Sequence, residues 1–226
     1  MPRLPTRLVK KCGKKHLTRL QGRISQAMKT GCGKRKKKIG ICVCGMTGCG
    51  KSTIAKRLAE KYGLRYLSGG NALKALAIEA GYKPAEIGWW ETDEGMRFLQ
   101  RRIEDSEFDK KVDRKLLELA KQGNVVLDSW TMPWLLKEGF KVWLEVSSNV
   151  RARRLAVRDG ISVERASEVL KVKDEITRAI YKSLYGFDLG NDLSPFDLIL
   201  DANELSADEV FNAVCLVVDR LIFGKF

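Results

Sequence analysis

IGICVCGMTGCGKSTIAKRLAEKYG, residues 39–63, is the stretch on which the fold turns. Its first six residues are an apolar run of strand length, with Cys42 and Cys44 alternating against Ile41 and Val43. A glycine-rich turn follows, and then Ser52 to Tyr62 places apolar residues at 54, 55, 58 and 59 on one helical face, with Gly63 as a stop. The unit is strand, loop, helix. Its loop, Gly45-Met46-Thr47-Gly48-Cys49-Gly50-Lys51-Ser52, fits the phosphate-loop pattern G-x-x-x-x-G-K-[ST] in the context that pattern requires. Glycines let backbone N–H groups converge on phosphate oxygens, and the helix N-terminus adds partial positive charge. Lys51 then neutralises the terminal phosphates, and the Ser52 hydroxyl is placed to ligate Mg²⁺.

Outward from this unit the pattern repeats. Leu64 to Leu67, Asn124 to Asp128, Gly139 to Val146 and Phe196 to Leu200 read as further short strands. Helical segments separate them at Asn71 to Ala80, Asp109 to Gln122, after Ser148 or Asn149, and from Ser162 to about Tyr185. A capping box at Ser206-Ala207-Asp208-Glu209 opens a last helix. Pro84 to Glu107 reads as a polar stretch with exposed Trp89 and Trp90. Five strands alternating with helices predict an α/β fold, a five-stranded parallel sheet with helices on both faces. Such a sheet collects ligands at the C-terminal ends of its strands, which makes Asp128 the candidate magnesium-side carboxylate. Phosphoryl transfer also needs cations for the charge spreading over the transferred group. Arg151, Arg154 and Arg158 share one helix face, and Lys171 and Lys173 follow beyond Gly160. A solvated basic face is the competing reading.

Composition excludes other chemistries. The chain has 226 residues, one histidine and a net charge of +14. The histidine is His16, so residues 39–226 cannot run Ser-His-Asp, Cys-His or His-ligated metal chemistry. Fourteen of the 42 Lys and Arg lie in residues 1–38, which carry no acid; the remaining 28 balance all 28 Asp and Glu. That arm, ending in Lys34-Arg35-Lys36-Lys37-Lys38, suits nonspecific RNA binding through phosphates. A disordered tail, a targeting segment and a true start at Met28 are the alternatives. Cys-Gly-Lys recurs at 12–14 and 32–34, but no standard zinc spacing joins Cys12 and Cys32 to the later cysteines. Without a transmembrane-length apolar run or a secretory signal, the expectation is a cytoplasmic protein with no membrane partner.

The ordered set GMTGCGKSTIAKRLAEKYGL with YLSGG, EFDKKVDRKLLELAKQGNVVLD, KVWLEV, VRARRLAVRDGISVERA, YKSLYGFDL and SPFDLIL resembles the nucleoside monophosphate kinases, most closely the archaeal type of cytidylate kinase. The resemblance runs from Ile39 to the C-terminus. It implies ATP-dependent phosphorylation of CMP, with dCMP as a further acceptor, by a monomer using ATP and Mg²⁺. Residues 45–53, from Gly45 through Met46, Thr47, Gly48, Cys49, Gly50, Lys51 and Ser52 to Thr53, would hold ATP. Ser52 and Asp128 would serve the metal, and Lys51, Arg151, Arg154, Arg158 and Lys173 the transferring phosphoryl group. The segment 68–113, a helical insert after the second strand, would shape the monophosphate site, with Ser68, Asn71, Lys74, Asp109 and Asp128 toward the acceptor; 158–173, after the fourth strand, would be the lid, and Asp201 to Asn203 would lie near the adenine.

The chain also departs from the relatives. Ser68-Gly69-Gly70-Asn71 with Lys74 stands where they carry Ser-Ala-Gly-Asp and an arginine. Asp128-Ser129-Trp130 replaces carboxylate, glycine and arginine, while Lys173 and Ile180 stand at two more arginine positions. Arginine grips phosphate bidentately and lysine as a point charge, so the acceptor half is the altered half. A related kinase with a changed acceptor, and a phosphate-loop ATPase or RNA-binding factor using the basic arm, are the alternative functions.

Overall fold

A computed structural model describes residues 38–85 and 88–224. The basic arm through residue 37, with Cys12, His16, Met28 and Cys32, lies outside the described residues. In chain order the elements are β1 (Gly40–Cys44), α1 (Lys51–Tyr62), β2 (Arg65–Ser68), α2 (Gly69–Glu79), a 3₁₀ turn (Trp89–Glu91), α3 (Asp93–Glu104), α4 (Glu107–Lys121) and β3 (Val125–Asp128). Then come α5 (Met132–Leu135), β4 (Phe140–Glu145), α6 (Ser148–Asp159), α7 (Val163–Tyr185), β5 (Leu198–Asp201) and α8 (Ala207–Leu221). All four strand pairings are parallel, and the sheet order is β2-β3-β1-β4-β5. The expected five-stranded sheet is therefore present.

Strand β1 is central, and its alternation sets the two layers. Ile41 and Val43 face a core with Ile54 and Leu58 of α1 and Val210, Val214 and Val218 of α8. Cys42 and Cys44 face the other side, toward Leu73, Leu116 and Phe98 in one cluster and Trp143, Tyr181 and Phe196 in another. The period-two pattern thus buries both faces, as a parallel sheet requires. Burial pushes the Cys42, Cys44 and Cys49 thiols up, which keeps them protonated and unreactive. Among the described residues no cluster of three metal-type ligands exists. Nor is any helix among them long and apolar enough to cross a membrane.

Because β1 pairs with β3 on one side and β4 on the other, a crevice opens beyond its C-terminal end. Asp128 is level with Val43 of β1 and Ser68 of β2, so the register alone sets it between the turn after β1 and the turn after β2.

The stretch after Pro84 corrects the sequence reading. It holds the 3₁₀ turn and a full helix, α3, where the residue pattern shows only polarity and exposed tryptophans and the resemblance implies a helical insert. Trp89 is buried and donates its indole N–H to Glu94 at 2.7 Å, while Trp90 is half-buried. Thr92 caps α3 by accepting from the Gly95 amide. Gly95 is required there, since a Cβ would fall 2.0 Å from the Trp89 carbonyl oxygen. The inward face of α3 is Gly95, Phe98, Leu99 and Arg102, and a buried arginine on an otherwise apolar stripe disguises its period. At α6 the N-cap residue is Ser147 rather than Ser148 or Asn149. The capping box of Ser206 and Glu209 is formed as expected.

Candidate active site

The crevice is a cleft of about 810 Å³ bordered by the turn after β1, the starts of α1 and α2, the inner faces of α3 and α4, and residues of α6 and α7. Thr47 to Thr53 line it. The loop folds this way because its first glycine has no alternative: at Gly45, φ 151°, a Cβ would come within 2.6 Å of Cys49 Sγ and 2.7 Å of the Leu144 carbonyl oxygen. Gly45 and Met46 themselves sit beneath the cleft, a departure from the expectation that both grip nucleotide. The Gly45 carbonyl accepts the Trp130 indole N–H at 2.8 Å, and Met46 packs into the core.

Ser52 Oγ donates to Asp128 Oδ2 at 2.5 Å, and Tyr66 Oη donates to the same oxygen at 3.0 Å. Asp128 Oδ1 is buried with no hydrogen-bond partner among the described residues. A hydroxyl, a carboxylate and an orphaned carboxylate oxygen at the mouth of a phosphate loop form a donor set suited to a hard divalent cation. Burial, with the Asp128 charge next in importance, pushes the Tyr66 phenol up, so Tyr66 stays a hydrogen-bond donor.

The four expected cations beyond Lys51 separate. Arg158 and Lys173 line the cleft and converge on Glu91: Lys173 Nζ lies 2.5 Å from Oε1 and Arg158 Nη2 lies 2.9 Å from Oε2. Burial pulls the Lys173 pKa down, with Glu91 opposing it. Hydrogen bonding to Asp159 leads in raising that of Arg158. Arg154 lines the cleft but spends its guanidinium on the carbonyls of Cys49 at 3.3 Å and Ala202 at 2.9 Å. Arg151 does not line the cleft, which corrects its expected catalytic role. It is buried, donating to Thr47 O at 3.0 Å, Asp174 at 2.8 Å and Val146 O at 3.2 Å. Its side chain braces the phosphate loop from below. The segment 158–173 is the end of α6, a turn at Gly160, and the first half of α7. Asp201 and Asn203 bond to each other at 2.7 Å beyond the rim, and Leu205 to Ala207 border the cleft instead.

Ser68, Asn71, Lys74, Asp109 and Asp128, the residues expected toward the acceptor, all line the cleft. Ser68 caps α2 through the Asn71 amide, and Lys74 donates to Ala85 O at 2.8 Å. Asp109 is not open to a ligand on all sides. Arg102 grips it with Nε at 2.9 Å and Nη2 at 2.6 Å, and Nη2 also donates to Tyr181 Oη at 3.2 Å. Both side chains of the pair are 1–2% exposed. Beside them Asp113 accepts from Thr131 at 2.6 Å and Tyr185 at 2.7 Å, and burial pushes its pKa up to about 6. Trp130 meets Tyr181 edge-on, and its ring lies 5.1 Å below the Lys51 ammonium.

A comparison with protein-family models matches residues 40–204 to the cytidylate kinase-like family. The chain belongs to that family. Among curated proteins, the cytidylate kinase of Pyrococcus horikoshii is 37% identical over 82% of this chain and 91% of its own length. That of Methanocaldococcus jannaschii is 34% identical over 80% and 98%. Among solved structures, an uncharacterized protein from Eubacterium ventriosum shares the fold at TM-score 0.52 and 18% identity, covering 80% of this chain and 99% of that one. This member of the cytidylate kinase-like family is a nucleoside monophosphate kinase-type transferase by kinship, and the match begins at β1, beyond the basic arm.

Sequence reasoning missed Tyr66, Glu91, Arg102, Asp113 and Tyr181 in this family member's cleft. Tyr66 was findable, standing two residues before Ser68 on a strand and so on the same face. Glu91 had one signal, its place just before the Thr92 cap of α3. The other three come together only through packing of α3, α4 and α7.

Proposed function

We propose that the protein transfers the γ-phosphoryl group of ATP to CMP, and to dCMP, giving ADP and the nucleoside diphosphate. The observation that carries this is the convergence on one cleft of a phosphate loop, the Ser52–Asp128 contact and the Arg158 and Lys173 cations. Its relatives named cytidylate kinase supply the acceptor.

In this reading the amides of Thr47 to Thr53 cradle the phosphates and Lys51 neutralises them. Ser52 and Asp128 would hold Mg²⁺, which when bound neutralises phosphate oxygens. An ionised phosphate oxygen of CMP attacks the γ-phosphorus as the bond to the β,γ-bridging oxygen breaks, and ADP leaves. No general base is needed, because the attacking oxygen is already deprotonated near neutral pH. Lys51, Arg158 and Lys173 stabilise the spreading charge, with Arg154 holding the loop edge. Ser68, Asn71, Lys74 and Asp109 border the acceptor, and 158–173 acts as the lid that excludes water. Residues 1–38 form an RNA-binding arm on a monomeric kinase, a reading that rests on their charge.

A coupled assay of ADP release with CMP, dCMP, UMP and AMP tests the activity. CMP should give the highest rate, and a CMP rate no greater than the acceptor-free ATPase background would sink the proposal. One observation favours a second reading, a changed acceptor: Arg102, the arginine bordering the acceptor floor, is already committed to Asp109. Cytidine without its phosphate belongs in the same panel, and turnover of cytidine but not CMP would select that reading.

A further inference from the structure

Among the described residues, Glu91 is the one carboxylate that touches both Arg158 and Lys173. Its side chain is 5% exposed, on the 3₁₀ turn ahead of α3, and it reaches Lys173 of α7 with one oxygen and Arg158 of α6 with the other. A carboxylate offering two oxygens to an ammonium and a guanidinium is the arrangement a phosphoryl group would make with the same donors. All three side chains border the same cleft as Lys51. The proposed phosphoryl transfer asks these cations to meet phosphate, yet here an acid of the chain itself has taken them.

We propose that Glu91 is an internal anion, holding the phosphate-gripping cations until the triphosphate of a nucleotide displaces it. A buried cation without a counter-charge is costly, so Lys173 needs an anion in every state of the cleft. Among the described residues its hydrogen bond is to Glu91, whereas Arg158 also holds Asp159 at 2.6 Å. The exchange is therefore unequal. Lys173 passes wholly from Glu91 to phosphate, while Arg158 keeps Asp159 throughout. Glu91 belongs to the turn that leads into α3, and α3 lines the acceptor floor with Leu99 and Arg102. Displacing its carboxylate thus releases the acceptor-side wall at the moment the donor arrives, and an empty cleft stays latched.

The inference rests on the nucleotide reading of the cleft but not on the identity of the acceptor. It is tested by calorimetric titration of the full chain with Mg²⁺ and a non-hydrolysable ATP analogue, without any acceptor, comparing wild type, Glu91→Gln and Glu91→Asp. Glu91→Gln keeps the shape and removes the competing charge, so it should bind the analogue at least about fivefold more tightly, the range of ordinary coupling between sites. A residue that merely supported the fold would weaken binding when replaced. Equal or weaker binding by Glu91→Gln with an unchanged thermal unfolding curve overturns the proposal. If that variant does not fold, Glu91→Asp decides: its withdrawn carboxylate should still raise affinity, and no gain overturns the proposal. A wild-type chain that binds no analogue overturns the nucleotide reading together with this one, whereas wild-type binding without a gain in either variant overturns this one alone.

Discussion

The two halves of the cleft are built by different means. The side proposed to take phosphate is one continuous loop, Thr47 to Thr53, shaped by glycines and closed by Lys51 and Ser52. The acceptor side is made of side chains from α2, α3, α4, β3 and α7, tied in the Arg102–Asp109–Tyr181 and Asp113–Thr131–Tyr185 networks. A backbone-built site keeps its function while its neighbours vary. A side-chain site can be rebuilt by single substitutions, and Trp130, at an expected arginine position, meets Tyr181 of that side edge-on.

The contrast breaks most sharply at Lys51. Lys51→Ala should lower kcat/KM for phosphotransfer by about 10⁴-fold, the scale of losing a cation at the transferred group, with an unchanged unfolding midpoint. Loss of folding instead would show that the loop is structural as well as catalytic. The acceptor side should respond the opposite way. Asp109→Ala strands the buried Arg102 charge and should cost about 3–5 kcal/mol in urea unfolding. The paired change Arg102→Met with Asp109→Leu should recover most of that stability, and no recovery would argue that the pair does more than balance charge.

The smallest expected effect sharpens the same side by pH. Asp113 has a folded pKa near 6, above its ordinary value of 3.8, so the folded state binds the extra proton. Its contribution is complete below about pH 4 and is lost as pH rises through about 6. Asp113→Asn imitates the protonated form and should be insensitive in that window. Wild type should therefore lose about 2–3 kcal/mol relative to the variant between pH 4 and pH 7.5, and parallel profiles would place the titration elsewhere.

This contrast also decides what the sequence makes legible. Sheet, phosphate loop and Asp128 are readable because each depends on local spacing or on strand register, and neighbours in sequence stay neighbours in space. Trp89 and Trp90 look exposed in a polar stretch because the helix that buries them, α3, carries Arg102 where an apolar residue would mark its period. Arg151, Arg154 and Arg158 share a face, but a helix face has depth. Arg151 points under the phosphate loop, Arg154 along its edge and Arg158 across the cleft, and only packing against the loop separates them. Glu91 matches no spacing rule, since its partners are 67 and 82 residues away.

Arg151 joins the Thr47 carbonyl, the exit of β4 at Val146 and Asp174 on α7 in one buried junction. The loop is thereby set in its curve before any nucleotide arrives, and little conformational freedom is left for binding to remove. Affinity gained in this way has an entropic origin and adds no contact to the ligand. The same junction ties the loop to α7, so a substitution at Asp174 would be felt in the loop as well as in the helix.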